Sequence, residues 1–383
     1  MVAEPAPEVS LVLPCLNEEE TLGDCIASAR QVFLAAGIEA EIVVCDNGSR
    51  DRSMEIATEG GAIVVREARQ GYGYALRRGI EASHGRYVVI ADADGTYDLT
   101  AIPAFLEPLR NGYAFVVGDR FRGGIEPGAM PWMHRHVGTP LLSLVLRALF
   151  RLEVKDSQCG MRAFSRDAYQ KMRLRTGGME FASEMLVNAA RARLALTQVP
   201  VRYFPRRGVS KLRSVPDGWR HVRFMLLHSP TYFYWIPCVI LLLAGLSILA
   251  VSTPAPVEFA GRQLDVRMQM VGSMLTILGF QVGTLGLFAR TFAVTEGFDE
   301  HDAFLEGFYR RFTLERGILI GMLLLLGGGI ALFYFLGRWI SGSGAPIEIR
   351  LTIFALTLIV VGSQVIFSSH LISLMGIRRT HDS

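Results

Sequence analysis

Asp92-Ala93-Asp94 stands directly after the apolar run YVVIA. Two carboxylates two residues apart, just past a strand end, can jointly hold a divalent cation, with water and substrate phosphates supplying the other oxygens. A cation bridging a diphosphate offsets the charge on a nucleotide leaving group. An isolated Asp-x-Asp is no more than an acidic turn, but this one has company. Pro14–Glu18 follows a second apolar run and Asp46–Ser49 a third. A cationic set stands apart from the acids. Arg120, Arg122 and Arg135 flank TPLLSLVLRALF, an apolar stretch of helical period. Arginine presents a planar fork suited to phosphate. The helix beside it could lie in a membrane face and bring a lipid phosphate to the metal, or be an ordinary core helix.

The elements that must position these groups alternate along the chain. Short β-branched runs at Val9–Leu13, Glu41–Cys45, Ala62–Val65, Tyr87–Ala91 and Phe115–Gly118 read as strands. Helical periods fill Glu19–Ala36, Asp51–Glu59, Gly73–His84 and Thr100–Arg110. Such alternation predicts an α/β domain, a parallel sheet with helices on both faces. Ligands of such sheets bind outside the carboxyl ends of the strands, where the acids fall. Gly71-x-Gly73 lacks the full dinucleotide fingerprint, so a NAD-binding reading is set aside.

Composition divides the chain. Charged residues make up 20% of it, and 20 of the 75 lie beyond Pro230. Mean hydropathy is +0.31, which excludes disorder and a single soluble domain. Four stretches without Asp, Glu, Lys or Arg, 231–252, 268–289, 317–337 and 351–377, are each long enough to span a bilayer. The domains expected are 1–200 as a cytosolic catalytic domain, 201–230 as a basic juxtamembrane segment, and 231–377 as four transmembrane helices. Arg202, Arg206, Arg207, Lys211, Arg213, Arg220 and Arg223 face one acid, Asp217, in that basic segment. Such a run reads as an anchor to anionic membrane lipid. The excess of arginine before the first span, in the 290–316 loop and in the tail places both termini in the cytosol of a multi-pass cell-membrane protein. Phe304, Phe308 and Phe312 suggest an amphipathic helix on that face. A net charge of +3 gives no reason to expect nucleic acid as a partner. The five cysteines have no metal spacing, and MVAEPAPE has no signal-peptide pattern.

VSLVLPCLNEEETL, CDNGSRDRS, the DAD of ADADGTYD and RRGVSKL occur in an order that resembles the family-two GT-A glycosyltransferases. The resemblance is strongest to polyprenyl-phosphate glycosyltransferases of the dolichol-phosphate-mannose-synthase type and covers about residues 9–215. It implies a GT-A, Rossmann-like nucleotide-sugar domain and inverting transfer of a hexose from a nucleotide sugar to a polyprenyl phosphate, with Mg2+ or Mn2+. Pro14, Asn17 and Glu18 match its nucleotide loop, and Asp46 the acid that contacts base or ribose. Asp92 and Asp94 match the metal and diphosphate acids. The family often has Gln where Thr96 stands, so the third metal ligand is open among Thr96, Asp98 and water. GDRF resembles Gly-Ser-Arg-Tyr, which aligns Arg120 with an acceptor-phosphate arginine; Arg135 and Thr139 match a pair with the same task. DSQCGMRAF, from Asp156, resembles the segment that closes the sugar site, where Asp156 is expected to orient the acceptor, steady positive charge at the sugar, or act as base. Ser210 and Lys211 fall in a donor-covering loop. Glu180 and Glu184 are read either as a solvated helix face or as neighbours of the sugar. UDP-glucose is the first expectation for the donor and GDP-mannose the second; homo-oligomers are compatible with this reading.

Two other functions compete. A processive polysaccharide synthase carries Gln-x-x-Arg-Trp in its cytosolic domain, whereas Arg338-Trp339 lacks that Gln and lies in an expected external loop. A non-catalytic flippase or scaffold would have no use for intact Glu18, Asp46, Asp92 and Asp94.

Overall fold

The computed structural model describes residues 6–208, 214–227, 230–254, 257–259, 262–264, 266–295, 303–342 and 346–381. The chain forms two compact units, Met1–Leu227 and His228–Ser383. In the first, β1 (Val9–Cys15), α1 (Leu22–Ala36), β2 (Ala40–Asp46), α2 (Ser53–Glu59), β3 (Ile63–Arg66), α3 (Tyr72–Glu81), β4 (Tyr87–Ile90), α4 (Ile102–Arg110) and β5 (Phe115–Asp119) follow the expected alternation. The short α5 (Arg120–Gly123) comes next, then a π-helical turn (His134–Gly138) that leads into α6 (Thr139–Phe150). The unit ends with β6 (Arg162–Ser165), α7 (Arg166–Met172), α8 (Phe181–Arg191), β7 (Leu196–Pro200) and α9 (Ser214–Leu227).

The sheet order is β3-β2-β1-β4-β6-β5-β7. All neighbours are parallel except β6, which runs antiparallel to both β4 and β5. This is the GT-A-like mixed α/β sheet. The central strands are buried along almost their whole length because helices cover both faces, which is why they read as unbroken apolar runs. Gly37 ends α1 at φ 62, its N–H returning to Leu34 O and Phe33 O in a left-handed cap. Gly79 lets α3 close onto β1, where a Cβ would lie 2.5 Å from Val12 Cγ1.

The first unit runs past residue 200. Residues 202–204 pair with the loop after β4, through Phe204 N–H to Thr96 O at 2.8 Å and a Tyr97–Tyr203 bridge. In α9, Phe224 and Met225 enter the sheet's core, and His221 Nδ1 lies 2.8 Å from Ser183 Oγ of α8. Much of the expected basic linker is therefore part of the first unit, because its apolar residues have core positions to fill.

The second unit contains α10 (Pro230–Ser252), a hairpin of β8 (Val257–Phe259) and β9 (Arg262–Leu264), α11 (Val266–Thr295), α12 (Ala303–Arg311), α13 (Leu314–Ile340) and α14 (Pro346–His381). Four of these helices, α10, α11, α13 and α14, are long and apolar enough to cross a membrane. Glycines bring them close in pairs: Gly245 meets Thr276 between α10 and α11, and Gly321 meets Gly362 between α13 and α14. The expected amphipathic helix exists as α12, and Leu305 and Phe308 of its expected stripe pack inward together with Tyr309. Leu305 is buried beside Leu287 and Ile372, Tyr309 Oη donates to Thr291 Oγ1 at 3.1 Å, and Phe312 stacks on Phe308.

Phe115 and Phe164 are both fully buried and meet edge to face across β5 and β6. Phe115→Ala should cost about 3–5 kcal/mol. Thermal unfolding of the full chain in detergent should show a clearly lowered midpoint for the first unit, with α-helical signal from the apolar helices retained.

Candidate active site

The β1–α1 and β2–α2 loops are stapled to each other. Asn17, held at φ 52, accepts from Arg50 N–H through Oδ1 at 2.7 Å and donates its own N–H to Ser49 Oγ at 2.9 Å. Glu18 N–H donates to Ser53 Oγ, and Asp46 Oδ1 accepts from Ser49 N–H at 2.8 Å. Pro14, paired with Cys45, is the penultimate residue of the strand register, which closes at Cys15 opposite Asp46 just before this loop. Asn47 donates to Glu67 O and Arg69 O and accepts from Gly71 N–H, tying the β2 exit to the start of α3. One cleft wall is thus built from residues 14–18, 46–53 and 67–72.

Both carboxylates expected to take a cation lie at its base. Asp94 is 7% exposed, and Thr96 donates both its N–H (3.1 Å) and its hydroxyl (2.6 Å) to Asp94 Oδ1. Thr96 therefore props an acid, and Asp98 caps the following turn by accepting from Thr100. Tyr72, which the sequence did not single out, donates its hydroxyl to Asp92 Oδ1 at 2.9 Å. Behind Asp92 lies Gly160, where a Cβ would stand 2.7 Å from Asp92 Oδ2. Burial, and then the neighbouring Asp94 charge, push the Asp92 carboxyl up to about 7. Hard oxygen donors with too much negative charge and one carboxylate oxygen each outside those bonds fit a divalent cation. Among the described residues there is no cluster of three or more acids, His or Cys at metal spacing. Phosphates and water would complete the shell.

Arg206 arrives from the strand that pairs with residues 96–98. Its Nη2 lies 2.7 Å from Glu18 Oε1 and its Nη1 3.4 Å from Asp94 Oδ2. The signal that would have found it is the RRGVSKL motif itself, whose first arginine the sequence reading gave to lipid.

The expected acceptor residues separate into a buried pair and an exposed turn. Arg120 donates from Nε, Nη2 and its backbone N–H to Asp156, at 2.7, 2.8 and 3.1 Å. Asp156 is wholly buried, and Arg120 also lies over the Tyr203 ring. Each Asp156 oxygen is thus committed to Arg120. Arg135 is exposed on the π-helical turn and Thr139 is buried at the start of α6. Ser210 and Lys211 lie outside the described residues. Glu184 is a buried loop staple that accepts from Arg175 N–H, Thr176 N–H and Thr176 Oγ1, so it does not belong to a solvated face. Arg162, fully buried on β6, donates to Cys159 O, Ser157 O and Ala182 O and fixes the loop behind Asp92.

A carboxyl whose folded pKa is raised favours the protonated native state, so its contribution to stability is lost as pH climbs through about 7. In chelator-treated protein, Asp92→Asn should raise the thermal midpoint at pH 8 and leave it nearly unchanged at pH 4. An equal shift at both pH values would contradict the assignment.

Comparison with known proteins agrees with this architecture. Residues 10–173 match the glycosyl transferase family 2 domain, and residues 287–376 match the glycosyltransferase family 2 C-terminal transmembrane region. The chain is 38% identical to the low-salt glycan biosynthesis hexosyltransferase of Haloferax volcanii, over 97% of this chain and 90% of that protein. It is 33% identical to the dolichyl-phosphate hexose transferase of the same organism, over 55% of this chain and 89% of the relative. A solved structure of glucosyl-3-phosphoglycerate synthase from Mycobacterium tuberculosis, with Mn2+, UDP and product, overlays with a TM-score of 0.47 at 25% identity, covering 57% of this chain and 79% of that one. With a mixed α/β sheet, paired acids at the end of its central strand and four helices fit to cross a membrane, the chain belongs to glycosyltransferase family 2 and carries that family's C-terminal transmembrane region.

Proposed function

We propose that this membrane glycosyltransferase moves a hexose, with inversion, from a nucleotide sugar to a polyprenyl phosphate on the cytosolic membrane face. The observation that carries the proposal is the pairing of Asp92 and Asp94 in one cleft wall with the Asn17–Glu18 and Asp46 loops, under a guanidinium from Arg206. Pro14, Asn17, Glu18 and Asp46 form the nucleotide side, with Ser210 and Lys211 proposed to cover the donor. Mg2+ or Mn2+ held by Asp92 and Asp94 would supply charge neutralisation to the departing diphosphate. Tyr72 and Thr96 keep the two acids aimed, and Arg206 offers a second cation to the same charge.

The attacking group is a phosphate oxygen. A phosphate monoester has its second pKa near ~6 and is already largely anionic at neutral pH, so it needs orientation more than a base. A bond forms between that oxygen and the anomeric carbon as the bond to the nucleotide's terminal phosphate breaks on the opposite face. Asp156 has both oxygens engaged by Arg120, so it acts by holding that arginine rather than by taking a proton. Arg120 and Arg135 are the proposed grip on the acceptor. Trp132, Met133, Leu141 and Leu144 form an exposed apolar face along the turn and α6 beside Arg135. In a chain with four membrane-crossing helices, the lipid phase is the solvent such a face suits.

A radiolabel assay of UDP-glucose and GDP-mannose against short polyprenyl phosphates tests the reading. Asp94→Ala should abolish transfer in protein that stays folded and membrane-bound. Arg135→Ala should raise the acceptor KM about tenfold to hundredfold, from the loss of a charge-assisted hydrogen bond worth roughly 1.5–3 kcal/mol, with nucleotide affinity unchanged. Arg120→Ala is a different case, since it strands buried Asp156 and should cost about 3–5 kcal/mol of stability. Loss of nucleotide affinity in Arg135→Ala with an unmoved acceptor KM would show that the two subsites are assigned the wrong way round.

A further inference from the structure

We propose that Arg206 is a built-in counter-cation of the donor-free cleft, bridging Glu18 and Asp94 so that a divalent cation binds well only when a nucleotide diphosphate is there to receive the displaced guanidinium. This rests on the reading of Asp92 and Asp94 as cation ligands.

The geometry leaves one oxygen on Asp94 for a cation. Oδ1 is saturated by the N–H and hydroxyl of Thr96, at 3.1 and 2.6 Å, and Oδ2 faces Arg206 Nη1 at 3.4 Å. The second nitrogen of the same fork is 2.7 Å from Glu18 Oε1. Glu18 and Asp94 come from different loops, after β1 and after β4, so the guanidinium spans the floor of the cleft. The Arg206 side chain is about one-fifth exposed. Its Nε is buried and makes no hydrogen bond among the described residues. It is held by its two charged contacts and not by a cage of its own. The 3.4 Å contact with Asp94 is the looser of the two, the one a competing cation would break first.

An arginine stays protonated throughout the working pH range, so pH does not release it. A bare divalent cation approaching Asp94 must displace a like charge and leave that charge without an anion. A cation that arrives with a diphosphate brings the anion that Arg206 then needs. The two ligands therefore bind with positive coupling, and linkage makes the coupling reciprocal. The consequence is an order of events: the nucleotide sugar and cation load together, and the empty cleft does not hold a cation that could draw other phosphates.

The experiment measures Mn2+ binding by electron paramagnetic resonance on the full chain in detergent, with and without UDP, and in a parallel arm with GDP. Wild type should bind Mn2+ far more tightly with nucleotide than without. Arg206→Gln should tighten nucleotide-free Mn2+ binding at least fivefold and shrink the factor by which nucleotide tightens it, the range expected of a coupling between adjacent ligands. Arg206→Lys, whose ammonium keeps the charge but cannot span both acids, should fall between them, and an unchanged circular dichroism spectrum and thermal midpoint report that each variant is folded. Unchanged nucleotide-free Mn2+ affinity in both Arg206 variants would overturn the proposal. Mn2+ binding that survives Asp94→Asn, with and without nucleotide, would instead overturn the cation assignment on which it rests.

Discussion

Two carboxylates kept out of water at the carboxyl end of the central strand set the terms for everything around them. Like charges this close in sequence repel; Asp94 is buried, and burial together with the Asp94 charge pushes the Asp92 carboxyl up to about 7. The surroundings answer with donors and cations. Tyr72 and Thr96 hydrogen-bond one oxygen of each acid, Arg206 reaches Asp94 from across the cleft, and Gly160 keeps its own backbone close behind Asp92 without crowding it. What is left is a negative hollow suited to a cation and a diphosphate together. The fold contributes the burial, and the loops contribute the aim.

A second buried charge pair organises the opposite wall. Arg120 and Asp156 are both almost free of solvent, with two side-chain bonds and one backbone bond between them. Such a pair contributes little net stability but becomes costly when one partner is removed. Its value here is positional. The bond fixes an arginine at the end of β5 against Tyr203, and Tyr203 belongs to the same short strand that delivers Arg206. Residues 201–206 thus supply both Arg206 and the Tyr203 ring that lies under Arg120.

The parts of this architecture that could be read from the chain were those with a period or a pattern. Apolar runs buried on both faces announced β1, β2, β4 and β5, and uncharged stretches announced the four long helices. Strands β6 and β7 gave no such signal. Arg-Ala-Phe-Ser and Leu-Thr-Gln-Val-Pro are short, and β6 carries a buried arginine that only its three carbonyl partners explain. Among the site residues, Asp92, Asp94, Asn17, Glu18 and Asp46 stood out because they are polar residues just past apolar strands. Tyr72 and Arg206 did not, because their partners are distant in sequence: Tyr72 looks like a helix-start aromatic, and Arg206 like one more charge in a basic run. Thr96 was legible as a site residue, but its bonds to Asp94 were not, since a hydroxyl that supports a carboxylate and one that binds a cation leave the same trace in sequence. The end of the first unit was misjudged for the same reason as Arg206: a basic surface on α9 hid the Phe224 and Met225 that dock it.

The central claim is that a lipid phosphate is the nucleophile. Its most direct test is to give the purified full-length protein one active nucleotide sugar with a short polyprenyl phosphate, the parent polyprenol and a soluble sugar acceptor in parallel, and to read both transfer and anomeric configuration by nuclear magnetic resonance. The account predicts a hexosyl phosphodiester of inverted configuration from the phosphate alone. Transfer to the alcohol or the sugar at a comparable rate, or a product that retains the donor's configuration, would contradict it.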